Sequence, residues 1–165
     1  MKKGLSVLSL CAVLASCAHK APVADYRVVP LPQEISLMAD EAFVLTGNTS
    51  IVCQSDDDAM KSNARLLAEY VEEKTGLKLA VADEAAENAI VLSLGDVEDN
   101  AEAYKLSVGL DGVAITGASP AGVFYGIQTL RKALPVVQGG VVELPAVEIT
   151  DSPRFGYRGA HLDVS

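Results

Sequence analysis

The stretch from Tyr104 to Pro135 constrains the fold more than any other part of the chain. Tyr104, Leu106 and Val108 alternate with polar or small residues, Asp111-Gly112 offers a tight turn, and Val113 and Ile115 alternate on the return. A period of two on both sides of such a turn is the pattern of a β-hairpin with one face in a core. Ser119-Pro120 then predicts a helix start. Serine can cap the free amides of a first turn, and proline at the first helical position gives up an N–H that has no partner there. Val123, Ile127, Leu130 and Leu134 recur at helical spacing, and Pro135 ends the run. A half-buried hairpin followed directly by an amphipathic helix calls for helices layered on a sheet.

The rest of the chain supplies the missing pieces. Residues 55–76 predict a first helix, capped by Ser55 or one of the Asp residues after it and stopped at Gly76. Its buried stripe is Met60, Ala64, Leu67 and Val71. Residues 28–32 hold two prolines and read as an extended edge segment. Residues 43–45, 51–52, 77–81 and 89–94 read as strands, and 141–149 as a last extended stretch interrupted by Pro145. The expected class is therefore α+β: a mixed sheet with two helices on one face. Half of the 165 residues are apolar and 21% are charged, which suits one packed domain and argues against disorder. Gly122 and Gly126 stand four apart in the second helix and predict close packing of one face.

The beginning of the chain has a different character. Lys2 and Lys3 precede an apolar run over residues 4–15, too short to span a bilayer as a mature helix, and Leu14-Ala15-Ser16-Cys17 follows. This order is an export signal, and Leu-Ala-Ser-Cys resembles a bacterial lipobox. The resemblance implies cleavage before Cys17, acylation of its thiol and anchoring to a membrane of the bacterial envelope, the outer membrane or a periplasm-facing leaflet. Residues 1–16 are then the lipoprotein signal peptide and 17–25 a tether. Cys11 leaves with the signal and Cys17 takes lipid, so Cys53 alone remains and no disulfide forms within the mature chain. Asp56, Asp57 and Asp58 beside Cys53 are the wrong neighbours for a reactive thiolate, so a buried apolar role is expected.

The net charge of -9 is a poor match to a nucleic acid, whose binding rests on Lys and Arg displacing counterions. His19 and His161 are too few and too far apart for a zinc site. No HExxH, P-loop, GxSxG or GxGxxG is present, so no metal or cofactor is expected.

Two segments carry a resemblance. One is Gly122-Val123-Phe124-Tyr125-Gly126-Ile127-Gln128-Thr129-Leu130. The other runs Ile149-Thr150-Asp151-Ser152-Pro153-Arg154-Phe155-Gly156-Tyr157-Arg158-Gly159-Ala160-His161-Leu162-Asp163-Val164-Ser165. Together they resemble the join between the N-terminal domain and the catalytic barrel of family 20 β-N-acetylhexosaminidases. Residues 89–94 and Glu102-Ala103-Tyr104-Lys105-Leu106 are also similar to that domain. The resemblance implies an N-terminal α+β domain over 26–150 and the first strand of a truncated (β/α)8 barrel over 151–165. It implies an exo-acting hydrolase of glycans ending in β-linked GlcNAc or GalNAc. It also implies substrate-binding roles for Arg158, whose rigid fork suits adjacent ring hydroxyls, and for Asp163.

Strand alternation over 157–165 would put Arg158 and Asp163 on opposite faces, which ranks Asp163 as structural unless a bulge intervenes. Asp151 and Arg154 bracket a proline turn and are expected to pair locally. In the family the substrate's own acetamido oxygen attacks the anomeric carbon, supported by an Asp-Glu pair further along the barrel. No such pair occurs between Asp151 and Ser165, so no catalytic residue is expected here and the chain alone is expected to be inactive. The reading from another class is a stand-alone periplasmic binding or scaffold lipoprotein.

Overall fold

Two helices lie on one seven-stranded sheet, in a computed structural model that describes residues 20–82, 84 and 87–162. The strands are β1 (Glu34–Leu45), β2 (Ser50–Cys53), β3 (Ala80–Ala82), β4 (Ala89–Leu94), β5 (Tyr104–Val108), β6 (Gly112–Gly117) and β7 (Val142–Asp151). The helices are α1 (Asp58–Thr75), between β2 and β3, and α2 (Pro120–Ala133), between β6 and β7. In space the strands stand in the order β1-β7-β5-β6-β4-β2-β3. β2, β3, β4 and β6 pair in parallel, while β5 is antiparallel to both β6 and β7, and β1 is antiparallel to β7. The mixed sheet and the two-helix layer are those the sequence predicts.

The two stripes explain why the helices sit where they do. Met60, Ala64, Leu67 and Val71 of α1 are fully buried, and so are Val123, Ile127 and Leu130 of α2. They cover Ile51, Ile90, Leu92, Leu106 and Ile115 from the sheet in one continuous core. The opposite face of the sheet carries polar pairs, with Ser93 hydrogen-bonded to Thr116 at 3.0 Å and Ser107 to Glu148. Asp57 caps α1 by accepting from the amides of Ala59 and Met60, and Gly76 closes the helix in the left-handed region at φ 71°. Ser119 caps α2 by accepting from the amide of Ala121, with Pro120 behind it. The side-chain amide of Asn63 donates to the carbonyl of Pro120 at 2.8 Å and ties the two helices together.

The predicted close face of α2 is closer than helical spacing alone conveys. A Cβ on Gly122 would stand 2.2 Å from the carbonyl oxygen of Ala103, and one on Gly126 would stand 2.5 Å from Cγ2 of Ile115. The helix therefore rests almost directly on the β5–β6 hairpin.

Four readings need correction. β1 begins at Glu34, where the sequence suggests a strand only at residues 43–45. Its apolar pattern is broken by a register shift between Leu37 and Ala42. β7 is a central strand despite Pro145, which pairs with Ala42 beside that shift and lies beyond Val147, where the pairing with β5 ends. Its missing N–H is therefore not needed by a second neighbour. Residues 152–162 form no strand or helix, so the barrel strand expected from alternation is not formed over its described part. A strand needs a neighbour to take its hydrogen bonds, and none stands beside this segment among the described residues. The packed chain also reaches further forward than Tyr26: the amide of Ala24 donates to the carbonyl of Glu143 at 2.8 Å, and Ala24 is buried.

Gly122→Ala should lower the unfolding free energy by about 2–3 kcal/mol, because the carbonyl of Ala103 is backbone and cannot move aside cheaply. Urea denaturation monitored by circular dichroism measures this, and an unchanged midpoint would contradict the packing described.

Candidate functional site

Where α2, the start of β5, the turn over residues 30–33 and the segment over residues 151–158 converge, they enclose a cleft of about 630 Å³. Its floor is a polar network built on buried Tyr104. The hydroxyl groups of Tyr104 and Thr129 stand 2.6 Å apart, and the Tyr104 hydroxyl donates to Oδ2 of Asp151 at 3.3 Å. Burial pushes the Tyr104 hydroxyl well above its ordinary range, with the Asp151 charge adding to the shift, so it stays a proton donor. The other oxygen of Asp151 accepts from the backbone amide of Gln33 at 3.1 Å, and the side-chain amide of Gln33 donates to the carbonyl of Ser152. Gln33 thus clamps the point at which the chain leaves β7.

This arrangement replaces the expected pairing of Asp151 with Arg154. Asp151 is engaged by Gln33 and Tyr104, and Arg154 has no carboxylate partner among the described residues. The sequence leaves open where Gln128 and Arg131 of α2 face, and the structure separates them. Arg131 turns to α1, stacked over the Tyr70 ring at 3.9 Å and bonded to Glu73 at 3.2 Å. Gln128 lines the cleft, where its buried side-chain amide nitrogen has no partner among the described residues. Lys132 donates to the carbonyl of Val29 at 2.7 Å and holds the proline turn against the helix.

Arg158 stands on the rim of the cleft. Its Nη2 lies 2.9 Å from both carboxylate oxygens of Glu102 and 3.4 Å from the Tyr125 hydroxyl, while Nη1 donates to the carbonyl of Phe155 at 2.7 Å. The Tyr125 hydroxyl also donates to Glu102 at 3.0 Å. The Arg158 hydrogen bonds, with a smaller contribution from Tyr125, lower the Glu102 carboxyl below its ordinary range. Among the described residues Nε of Arg158 has no acceptor. Phe155 and Tyr157 beside it are exposed. Asp163 and Cys17 lie outside the described residues. Among the described residues no three His, Cys, Asp or Glu side chains come together as a metal ion would need.

Sequence reasoning singled out Arg158 and missed its partners Glu102 and Tyr125. Glu102 lies just before a strand and Tyr125 on a helix otherwise read as core. Their convergence is a long-range pairing with no local signature. Gln33 was equally hidden, although the two prolines before it mark the turn that presents it.

The family model described as "Glycosyl hydrolase family 20, domain 2" matches residues 25–152. A beta-hexosaminidase of Porphyromonas gingivalis is 33% identical over 167 residues, covering 92% of this chain and 21% of the relative. Among solved structures, the family 20 beta-N-acetylhexosaminidase of Streptomyces coelicolor superposes with a TM-score of 0.73 at 30% identity. That match covers 84% of this chain and 29% of that one. A mutant Streptomyces plicatus beta-hexosaminidase in complex with its product GlcNAc gives a TM-score of 0.71 at 29% identity, covering 81% of this chain and 27% of that one. The chain thus spans only about a fifth to three tenths of these relatives.

The Glu102–Arg158 pair makes a signed prediction. A carboxyl whose folded pKa is depressed contributes stability above its unfolded value and loses that contribution as pH falls through the depressed value. Wild type and Arg158→Ala should therefore differ in stability at neutral pH and converge in acid, below the ordinary Glu range. In NMR titration the Glu102 carboxyl should move up in the variant, and a Glu102 titration that Arg158→Ala leaves unmoved would count against the pair.

Proposed function

Because the chain belongs to glycosyl hydrolase family 20, whose domain 2 accounts for residues 25–152, we propose that it is the N-terminal part of an exo-acting β-N-acetylhexosaminidase. The enzyme removes terminal β-linked GlcNAc or GalNAc from glycans. The observation that carries this reading is the agreement between the domain match and the segment directly after it. Residues 151–158 leave β7 clamped by Gln33 and bring Arg158 to the rim of a polar cleft. The Porphyromonas gingivalis relative and the Streptomyces structures, named as hexosaminidases, support the substrate class.

The chemistry follows the family's substrate-assisted route. The acetamido oxygen of the substrate attacks the anomeric carbon while the bond to the leaving oxygen breaks. A Glu side chain protonates that oxygen, and an Asp beside it orients the acetamido group. In the family both acids come from the barrel. What this chain adds is Arg158, which hydrogen-bonds ring hydroxyls of the terminal sugar through donors that Glu102 does not occupy. Asp163, which lies outside the described residues, is read from the resemblance alone as a further substrate-binding residue. The first barrel strand forms over 157–165 when neighbouring strands take up its hydrogen bonds.

At its other end, cleavage before Cys17 and acylation of its thiol anchor the mature protein to the envelope, with the tether that begins at Cys17 spacing the domain from the lipid. More than one acyl chain makes such anchoring stable where a single chain is reversible.

An aryl β-GlcNAc substrate tests the activity. The 165-residue chain should release no chromophore above buffer, while the polypeptide extended by the downstream sequence should turn over. Steady turnover by the short chain, or none by the extended one, would overturn the proposal. Sugar binding without hydrolysis by the extended chain would favour the binding-module reading. For the anchor, labelled palmitate should enter the wild-type protein and be absent from Cys17→Ala. Equal labelling of both would remove Cys17 as the site.

A further inference from the structure

We infer that the domain stands on the lipid bilayer by the end at which β7 begins, and hands the chain on from the opposite end. This rests on the reading of Cys17 as the lipidated residue.

The direction in which the chain enters the domain is the first support. The amide of Glu143 donates to the carbonyl of Pro22 at 2.8 Å, and the amide of Ala24 donates to the carbonyl of Glu143 at 2.8 Å. Val23 pairs with Glu143 in parallel. Residues 22–24 therefore run the same way as β7, and the chain arrives at Pro22 from the side on which that strand starts. From Cys17 to Pro22 it reaches at most about 18 Å even when fully extended. An acylated Cys17 is thus held close to this end of the domain.

The chain leaves from the other end. Gln33 is bonded to Asp151, the last residue of β7, so residues 22–33 run the length of the strand. β7 is 10 residues long. At about 3.4 Å per residue its two ends stand about 30 Å apart. The catalytic part proposed downstream begins at the end away from the headgroups.

Charge divides along the same axis. β2, β4 and β6 run in the direction of β7, so the loops after them lie at the far end. Asp56, Asp57 and Asp58 follow β2, and Asp96, Glu98 and Asp99 follow β4. A bilayer containing anionic lipid repels such carboxylates. At the near end, the connection from α2 to β7 has no charged residue between Lys132 and Glu143, and it exposes Val136 and Val141. It packs on the end of α1, where the amide of Val137 donates to the carbonyl of Lys74 at 2.8 Å. Among the acids there, Asp25, Glu72 and Glu73 are paired with Arg27, Lys78 and Arg131. Glu143 remains beside Pro22, while Glu87 and Asp111 lie further along the sheet, before β4 and β6. An uncharged loop bearing valines is the part of this surface that costs least to bring against headgroups.

The test uses the longer polypeptide, lipidated at Cys17, in vesicles of phosphatidylethanolamine and phosphatidylglycerol that carry a nitroxide on some headgroups. Cys53→Ser, with any downstream cysteine also replaced, leaves no other thiol. One fluorophore is then attached through Val136→Cys at the near end or Asp99→Cys at the far end. The label at 136 should lose most of its fluorescence, and the label at 99 should keep its own.

Equal quenching at both positions, stronger quenching at 99, or none at either overturns the inference while the anchor stands. Palmitate uptake by Cys17→Ala equal to that of wild type removes the anchor reading, and the inference with it. Circular dichroism checks the folding of each labelled protein. Where Val136→Cys does not fold, Val141→Cys decides by the same criteria.

Discussion

The helix α2 lies on the β5–β6 hairpin with two glycines where side chains would collide. A Cβ at 122 would meet a backbone carbonyl, and one at 126 would meet Ile115 and the Tyr104 ring. That close approach is the condition for the rest. It buries Val123, Ile127 and Leu130 against Leu106 and Ile115 and so closes the core over the centre of the sheet. It also fixes the height of α2 above the strands, which brings Thr129 to the Tyr104 hydroxyl and Tyr125 to Glu102. Interiors at crystal-like density do not absorb such a contact by small adjustments, so core and cleft stand or fall together.

The cleft is where a folded domain hands the chain on. Asp151 is the last residue of β7, and its carboxylate is shared between a buried tyrosine hydroxyl and the amide of Gln33. Tyr104 is buried under α2, whereas Gln33 reaches in from an exposed turn. The exit direction of the chain is thereby set by groups from the turn before β1 and from β5, far away in sequence. Three residues further on, Arg154 is exposed, and the next basic residue, Arg158, is drawn back to the domain by Glu102. The ion pair is only partly shielded from water, so its worth lies in direction more than in stability.

Several elements were legible in the sequence because their signals are local. The stripes of α1 and α2, their caps at Asp57 and Ser119, and the β5–β6 hairpin, whose loop falls one residue earlier than expected at Leu110-Asp111, all depend on residues within a few positions of one another. The length of β1 was not legible, because the register shift past Leu37 breaks the alternation. The central place of β7 was hidden by Pro145, which is tolerated only because β5 stops pairing at Val147. Of the cleft, Arg158 could be named through the resemblance of its segment to a known family. Its partners could not, since Glu102 and Tyr125 lie 56 and 33 positions away in the chain.

The amino-acid sequence by itself determined the class of the fold, the position of its two helices and the family, since periodicity, capping and motif spacing are written in neighbouring residues. Only the tertiary structure decided the order of the strands, which donors the carboxylates of Asp151 and Glu102 would accept from, and that Gln128 would face the cleft while Arg131 faces α1. The physical reason is that hydrogen bonds and ion pairs act over about 3 Å in space, and which distant groups come within that reach is fixed by how the layers pack.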